Sequence, residues 1–249
     1  MIRDRVLEEL WETAPRGNDV FDPEVVSKLP PAAQRYLLHA LAPGARLAHA
    51  ARLHMSGTIR LHDTWCPFEA EQVLRWDRGF VWKASVRLGG IPVIGSDRWV
   101  DGEGSMKWKL LGIIPVMKAD GPDITRSAAG RFHIETMWLP SVLLDPNVQW
   151  LARDHLHPEA VIRAHDEESH IDLAIDERGR VRTGQLSRRG SPEGKELHYV
   201  DFGAIVEDEA TFDGITIPSK LRSGWFFGTE RFEEEGELFR VTVDRAEFR

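Results

Sequence analysis

From residue 51 onward the sequence repeats in twos. Leu53, Met55, Gly57, Ile59 and Leu61 alternate with Arg52, His54, Ser56, Thr58 and Arg60. Successive side chains of an extended chain point to opposite faces, so this period describes a strand with one buried face. The parity returns in Phe68, Ala70, Gln72, Leu74 and Trp76, and after Asp77-Arg78-Gly79 in Phe80, Trp82, Ala84, Val86 and Leu88. Gly89-Gly90 predicts a tight turn into a fourth strand over Ile91 to Val100, and Asp101-Gly102-Glu103-Gly104 a turn into a fifth. Short turns between alternating strands make an antiparallel meander.

Helical signals flank and interrupt this pattern. Asp22-Pro23-Glu24 reads as a cap followed by proline at the first helical position, and Pro31 opens a second stretch through Tyr36, Leu37 and Leu41. After Gly121-Pro122 the spacing of Ile124, Ala128, Arg131, Glu135 and Trp138 is again helical, with Asp123 as a possible cap, and a further short turn opens at Pro140. Strands resume around Val161, at Ile171 to Ile175, Val181 to Leu186, Leu197 to Phe202, Ala204 to Phe212, from Ile215 onward, and finally through Phe239, Val241 and Val243. The expected organisation is a helical lead-in over residues 1–44 and a single antiparallel β domain over 45–249, with a helical insertion near 123–145. A chain of 249 residues with 42% hydrophobic residues can bury one large core.

Charge and cysteine count narrow the function. With 32 basic against 40 acidic residues the formal charge is −8, and the basic residues are scattered along strands, which disfavours nucleic acid as a partner. A single cysteine, Cys66, leaves no intrachain disulfide and no zinc site built on several thiolates. Met1 to Trp11 carries Arg3, Asp4, Arg5, Glu8 and Glu9 where a secretory signal needs a long apolar core, so the expected location is the cytoplasm. The longest run without a charged or strongly polar residue, Leu110 to Met117, is far short of the roughly 20 residues that span a bilayer.

Several stretches carry a family likeness: Leu29-Pro30 with Arg35-Tyr36-Leu37, Trp65-Cys66-Pro67-Phe68-Glu69-Ala70, Gly79-Phe80-Val81-Trp82, Leu111-Gly112-Ile113-Ile114-Pro115-Val116, Gly130-Arg131, Trp138-Leu139-Pro140-Ser141 and Thr216-Ile217-Pro218-Ser219. Together they resemble a family of uncharacterised bacterial proteins, a domain of unknown function, over nearly the whole chain from about Leu29. The resemblance implies a large curved antiparallel sheet, or half-barrel, packed around one or two helices, similar to the bacterial outer-membrane lipoprotein carriers. It implies no activity.

Four constellations are candidates for chemistry. Leu88-Gly89-Gly90-Ile91-Pro92-Val93-Ile94 nearly repeats as Leu111-Gly112-Ile113-Ile114-Pro115-Val116-Met117. Two strand traverses separate the copies, so they should be neighbours, forming either an apolar rim around Ile91 and Ile114 or two buried corners. Of nine tryptophans, Trp82, Trp99 and Trp108 fall on successive strands, lining a cavity or packing a thick core. Arg131 and Glu135 lie four apart on one helical face and, with Asp97, are candidate acid, base or anion-holding groups; the pair could equally be a structural clamp or a solvated helix face. The histidines of Asp154-His155-Leu156-His157, with His165 and His170, match no characteristic ligand spacing, and Cys66 lies in no nucleophile signature. No nucleotide-binding fingerprint occurs, and neither cofactor nor metal is expected. The leading expectation is a protein that holds an apolar or amphipathic small molecule in its concave face. An enzyme acting on such a ligand, and a module docking a membrane surface or a protein through the apolar loops, are the alternatives.

Overall fold

The computed structural model describes residues 4–249. The alternating segments pair in succession as β1 (Ala50–Leu61), β2 (Thr64–Arg75), β3 (Gly79–Leu88), β4 (Ile91–Val100), β5 (Glu103–Leu110) and β6 (Ile114–Asp120). A second meander comprises β7 (Val148–Ala152), β8 (Pro158–Ala164), β9 (Glu167–Ile175), β10 (Val181–Gly190), β11 (His198–Phe212), β12 (Ile215–Trp225) and β13 (Glu237–Phe248). The meanders join through β1 and β13, from Ala51 opposite Phe248 to Ile59 opposite Phe239. The result is one antiparallel sheet in the order β6-β5-β4-β3-β2-β1-β13-β12-β11-β10-β9-β8-β7, curled into a half-barrel. The mainly β, curved class expected from the sequence is the class observed.

This topology places β6 and β7, consecutive in the chain, at opposite edges of the sheet. The segment between them therefore crosses the concave side, and that crossing contains α3 (Pro122–Ile134), preceded in the chain by α1 (Arg5–Glu12) and α2 (Pro31–Ala40). Two 3₁₀ turns, Glu135–Trp138 and Pro140–Leu144, complete it. Two glycines let α3 sit close to the strands. A Cβ on Gly104 of β5 would lie 2.6 Å from the Thr125 Cα, and one on Gly130 of the helix 3.1 Å from Arg188 Cγ on β10.

The lead-in covers other surfaces. Asp4 caps α1 by accepting from the Val6 and Leu7 amides, and Leu7, Leu10 and Trp11 pack on Ala50, Val73 and Val81, the face of β1–β3 opposite the main core. Arg52 bridges Glu8 and Glu71 there. Helix α2 packs against β7, β8 and β12, with the Tyr36 ring 6.1 Å from that of Trp150. Burial holds the Tyr36 hydroxyl protonated well above the usual tyrosine range. The helix expected after Asp22 is a single 3₁₀ turn, Pro23–Val26. The strands expected to break near Gly203 are one strand, because the Phe227 ring occupies the space a side chain there would need. Among the described residues no helix is long and apolar enough to cross a membrane.

Candidate functional site

Strand register sets out the site before any side chain is considered. Gln72 lies opposite Trp82, Trp82 opposite Asp97, and Asp97 opposite Met106, so four consecutive strands present one row of side chains. Helix α3 lies across this side of the sheet. The next row towards the β4–β5 turn, Phe80 and Trp99, is filled by the helix: Phe132 stacks 6.5 Å from Phe80 and lies tilted 5.1 Å from Trp99, and Trp76 closes from the other side at 6.1 Å. Its neighbour His133 is fully buried, sharing a hydrogen bond with Ser169 Oγ at 2.8 Å, and burial pushes its pKa down to about 4.

Beyond the Trp82 row the space is open. A cavity of about 250 Å³ lies between the helical crossing and the sheet. Its walls are Ile59, Trp82, Asp97 and Met106 from the N-terminal strands, Arg131, Ile134, Glu135, Met137 and Trp138 from the crossing, and Arg188, Phe202, Ala204, Leu221, Ser223, Trp225, Leu238 and Phe239 from the C-terminal strands. Most of these groups are apolar. Phe68 supports the wall from behind, 5.8 Å from Trp82 and 4.9 Å from Phe239.

The polar groups collect in one place. Arg131 donates through Nε to Glu135 Oε1 at 2.7 Å and through Nη1 to Asp97 Oδ2 at 3.1 Å. Trp108 Nε1 donates to Asp97 Oδ1 at 2.8 Å, and Gln72 Nε2 to Glu135 Oε2 at 2.7 Å. Each of the four carboxylate oxygens thus has a donor, and the Arg131 guanidinium lies 4.9 and 5.0 Å from the Phe80 and Trp82 ring centres. Burial opposes the Arg131 charge, but Glu135 and Asp97 outweigh it and raise its pKa. For Asp97 burial wins, holding the carboxyl above its ordinary range despite Arg131 and Trp108.

Arg188 is different. Its Nε donates to the Ser127 carbonyl at 2.9 Å and its head lies 4.7 Å from the Phe202 ring centre and 5.2 Å from that of Trp225. Among the described residues no carboxylate lies within ion-pair distance of it. Burial, with Arg131 as a like-charged neighbour, lowers its pKa to about 10.

The structure therefore divides the residues singled out in the sequence. Asp97, Arg131 and Glu135 meet, and Trp82 lines the cavity. Trp108 braces Asp97 and lies 5.7 Å from Trp82, whereas Trp99 belongs to the filled side, fully buried against Phe132 and away from the cavity. Ile91 and Ile114 are also outside it. The two near-repeats do lie side by side, the Leu111 amide donating to the Pro92 carbonyl, with Ile91, Leu111, Ile113 and Ile114 exposed as an apolar tip. Cys66 is buried. His157 pairs with Asp154, and His170 with Glu159 and Glu168, at the surface. Arg188, Gln72 and the C-terminal wall were not anticipated. A signal was present, since Gly184, Leu186 and Arg188 share a parity that puts an arginine on an inward face.

The chain belongs to DUF6920, a family of unknown function. The family pattern matches residues 27–248. No curated protein matches. Among solved structures, the chain is similar to a LolA superfamily protein from Nitrosomonas europaea, with 6% identity, 88% of this chain and 92% of that one covered, and a TM-score of 0.48. A DUF1329 family protein from Desulfovibrio piger is similar at 10% identity, covering 87% and 90%, with a TM-score of 0.46.

Proposed function

We propose that the protein binds a small amphipathic molecule in the cavity between α3 and the sheet. The observation that carries this reading is the unfilled space itself. Close-packed interiors leave few voids larger than a water, yet here about 250 Å³ is walled by aromatic and aliphatic side chains with its polar groups gathered at one place.

Catalysis by Asp97, Arg131 and Glu135 has less support. Every oxygen of both carboxylates already accepts from Arg131, Trp108 or Gln72, and hydrogen bonds to the charged form weaken a carboxylate as a general base. The trio clamps the C-terminal end of α3 to β2 and β4.

The test uses N-phenyl-1-naphthylamine, an uncharged fluorescent probe. Saturable binding at one site is expected for the wild type. Ala204→Leu, which adds a side chain into the cavity, should weaken it at least about tenfold because the added carbons occupy the probe's space. Trp11→Phe, on the opposite face of the sheet, should leave it unchanged. A non-saturating signal, or one indifferent to Ala204→Leu in a folded variant, would refute the proposal.

A further inference from the structure

Asp97 and Glu135 balance Arg131 and Arg188 in number around the cavity, but among the described residues neither carboxylate lies within ion-pair distance of Arg188. Both nearby carboxylates are engaged by Arg131, which takes one oxygen from each. The remaining oxygens are taken by the Trp108 indole and the Gln72 amide. Arg188 is left with the Ser127 carbonyl, a long 3.5 Å contact from Nη2 to Ser127 Oγ, and the faces of Phe202 and Trp225. Its Nη1 makes no hydrogen bond to any described residue. A guanidinium presents donors in a fork that matches a carboxylate or phosphate, and a half-buried cation such as this one gains when a direct partner supplies the opposite charge.

The position of this residue is enforced from several sides. Gly130 leaves room for its stem, Ser127 one helical turn earlier fixes Nε, and the two aromatic rings hold the plane of the head. The head borders a cavity whose wall is otherwise apolar except for Asp97, Arg131, Glu135 and Ser223.

We infer that the ligand is a single-chain amphiphile with an anionic headgroup, a carboxylate or phosphate, which pairs with Arg188 while its tail lies against Trp82, Ile134, Met137, Leu221 and Phe239. This rests on the cavity-binding reading and names the ligand class for it. One tail is the fit because about 250 Å³ lies just below the usual range of ligand pockets, about 300 to 1,000 Å³. The Arg131 cluster contributes no second anion site, since its cation is already shared between two carboxylates. Burial and the like charge of Arg131 depress the pKa of Arg188 by more than Glu135 and Asp97, neither of them in ion-pair contact, restore it.

The test compares dodecanoate, dodecyl phosphate and dodecanol, equal in tail and different in head, by displacement of N-phenyl-1-naphthylamine from the full chain. At least one of the anions should bind at least about tenfold more tightly than the alcohol, the range expected for hydrogen bonds to a charged group, and the better of the two identifies the head. Arg188→Met should abolish this preference and leave dodecanol affinity within about threefold, and Arg188→Lys should retain part of it. Arg189→Met is the control, because Arg189 points elsewhere and pairs with Asp123. If dodecanol binds the wild type as tightly as both anions, the headgroup inference falls and the cavity reading stands. If the preference survives in folded Arg188→Met, the assignment to Arg188 falls. If neither the probe nor any of the three compounds binds, the cavity reading itself has failed.

Discussion

Helix α3 divides the concave side of the sheet into two regions built from similar residues. On one side Phe132 enters a nest of Phe80, Trp76, Trp99 and His133, and no space is left. On the other, Trp82, Phe202, Trp225 and Phe239 surround a cavity. Aromatic content is alike in both; the helix residue aimed at each is not. Phe132 fills its side. Arg131, one position earlier, is drawn to Asp97 and Glu135 at the edge of the other and leaves the middle empty. A tryptophan-rich strand face is thus compatible with a solid core or a pocket, and the facing element decides which.

The largest effect separating the regions should come from Phe132→Ala. The residue is 1% exposed and its ring stacks on two others and lies tilted against a third, so truncation leaves a void where little can relax. A loss of about 3–5 kcal/mol is expected in urea denaturation. A loss under about 1 kcal/mol would show that the filled side is looser than its geometry suggests.

A pH series probes the same side. His133 has its pKa lowered to about 4 by burial, so it stays neutral in the fold while the unfolded chain takes up a proton below about pH 6.5. Between those values the unfolded state binds more protons, and stability falls as pH falls. The stabilisation is fully present above pH 6.5 and lost on descending towards pH 4. It amounts to about 3 kcal/mol over the window, from roughly 1.4 kcal/mol per pH unit. The raised pKa of Asp97 acts in the opposite direction, so the comparison is with His133→Asn, whose stability should fall less steeply with acid. Parallel curves for the two proteins would show that His133 is not what senses the acid.

What was legible in the sequence follows from the same contrast between facing and filling. Strands β1 to β5 were readable because their apolar residues keep a period of two, even in β3, where α1 covers the second face, and β4 begins and ends where the turns at Gly89-Gly90 and Asp101-Gly102 put it. The two edge strands were not. Nearly every residue of β6 is exposed, and β7 has five residues, so neither carries a long alternation. The charged half of the site was partly legible as polar residues at inward parity, Gln72 and Asp97 among them, since a strand face buries such groups only where something answers them. Arg131 and Glu135 could be paired by their helical spacing. Arg188 could not be joined to them, because the link runs through a helix crossing from one sheet edge to the other, and no local period encodes it.

The finest comparison, and the smallest effect, is between two tryptophans on adjacent strands. Trp82 and Trp99 are both buried, and in each the indole Nε1 has no hydrogen-bond partner. Replacement by phenylalanine therefore removes the same atoms from each and forfeits no hydrogen bond. What differs is the fate of the vacated volume. At Trp99 it becomes a closed void among Phe132, His133 and the His165 ring, which packs edge-on 5.1 Å away. At Trp82 it borders a space that is already empty, so fewer close contacts are lost. Trp99→Phe should then cost about 1 kcal/mol more than Trp82→Phe. Binding of N-phenyl-1-naphthylamine should show the reverse order, weakened by Trp82→Phe and unaffected by Trp99→Phe. Equal stability losses with equal effects on the probe would mean that α3 does not separate a filled region from an open one, and both tryptophans would then belong to a single yielding interior.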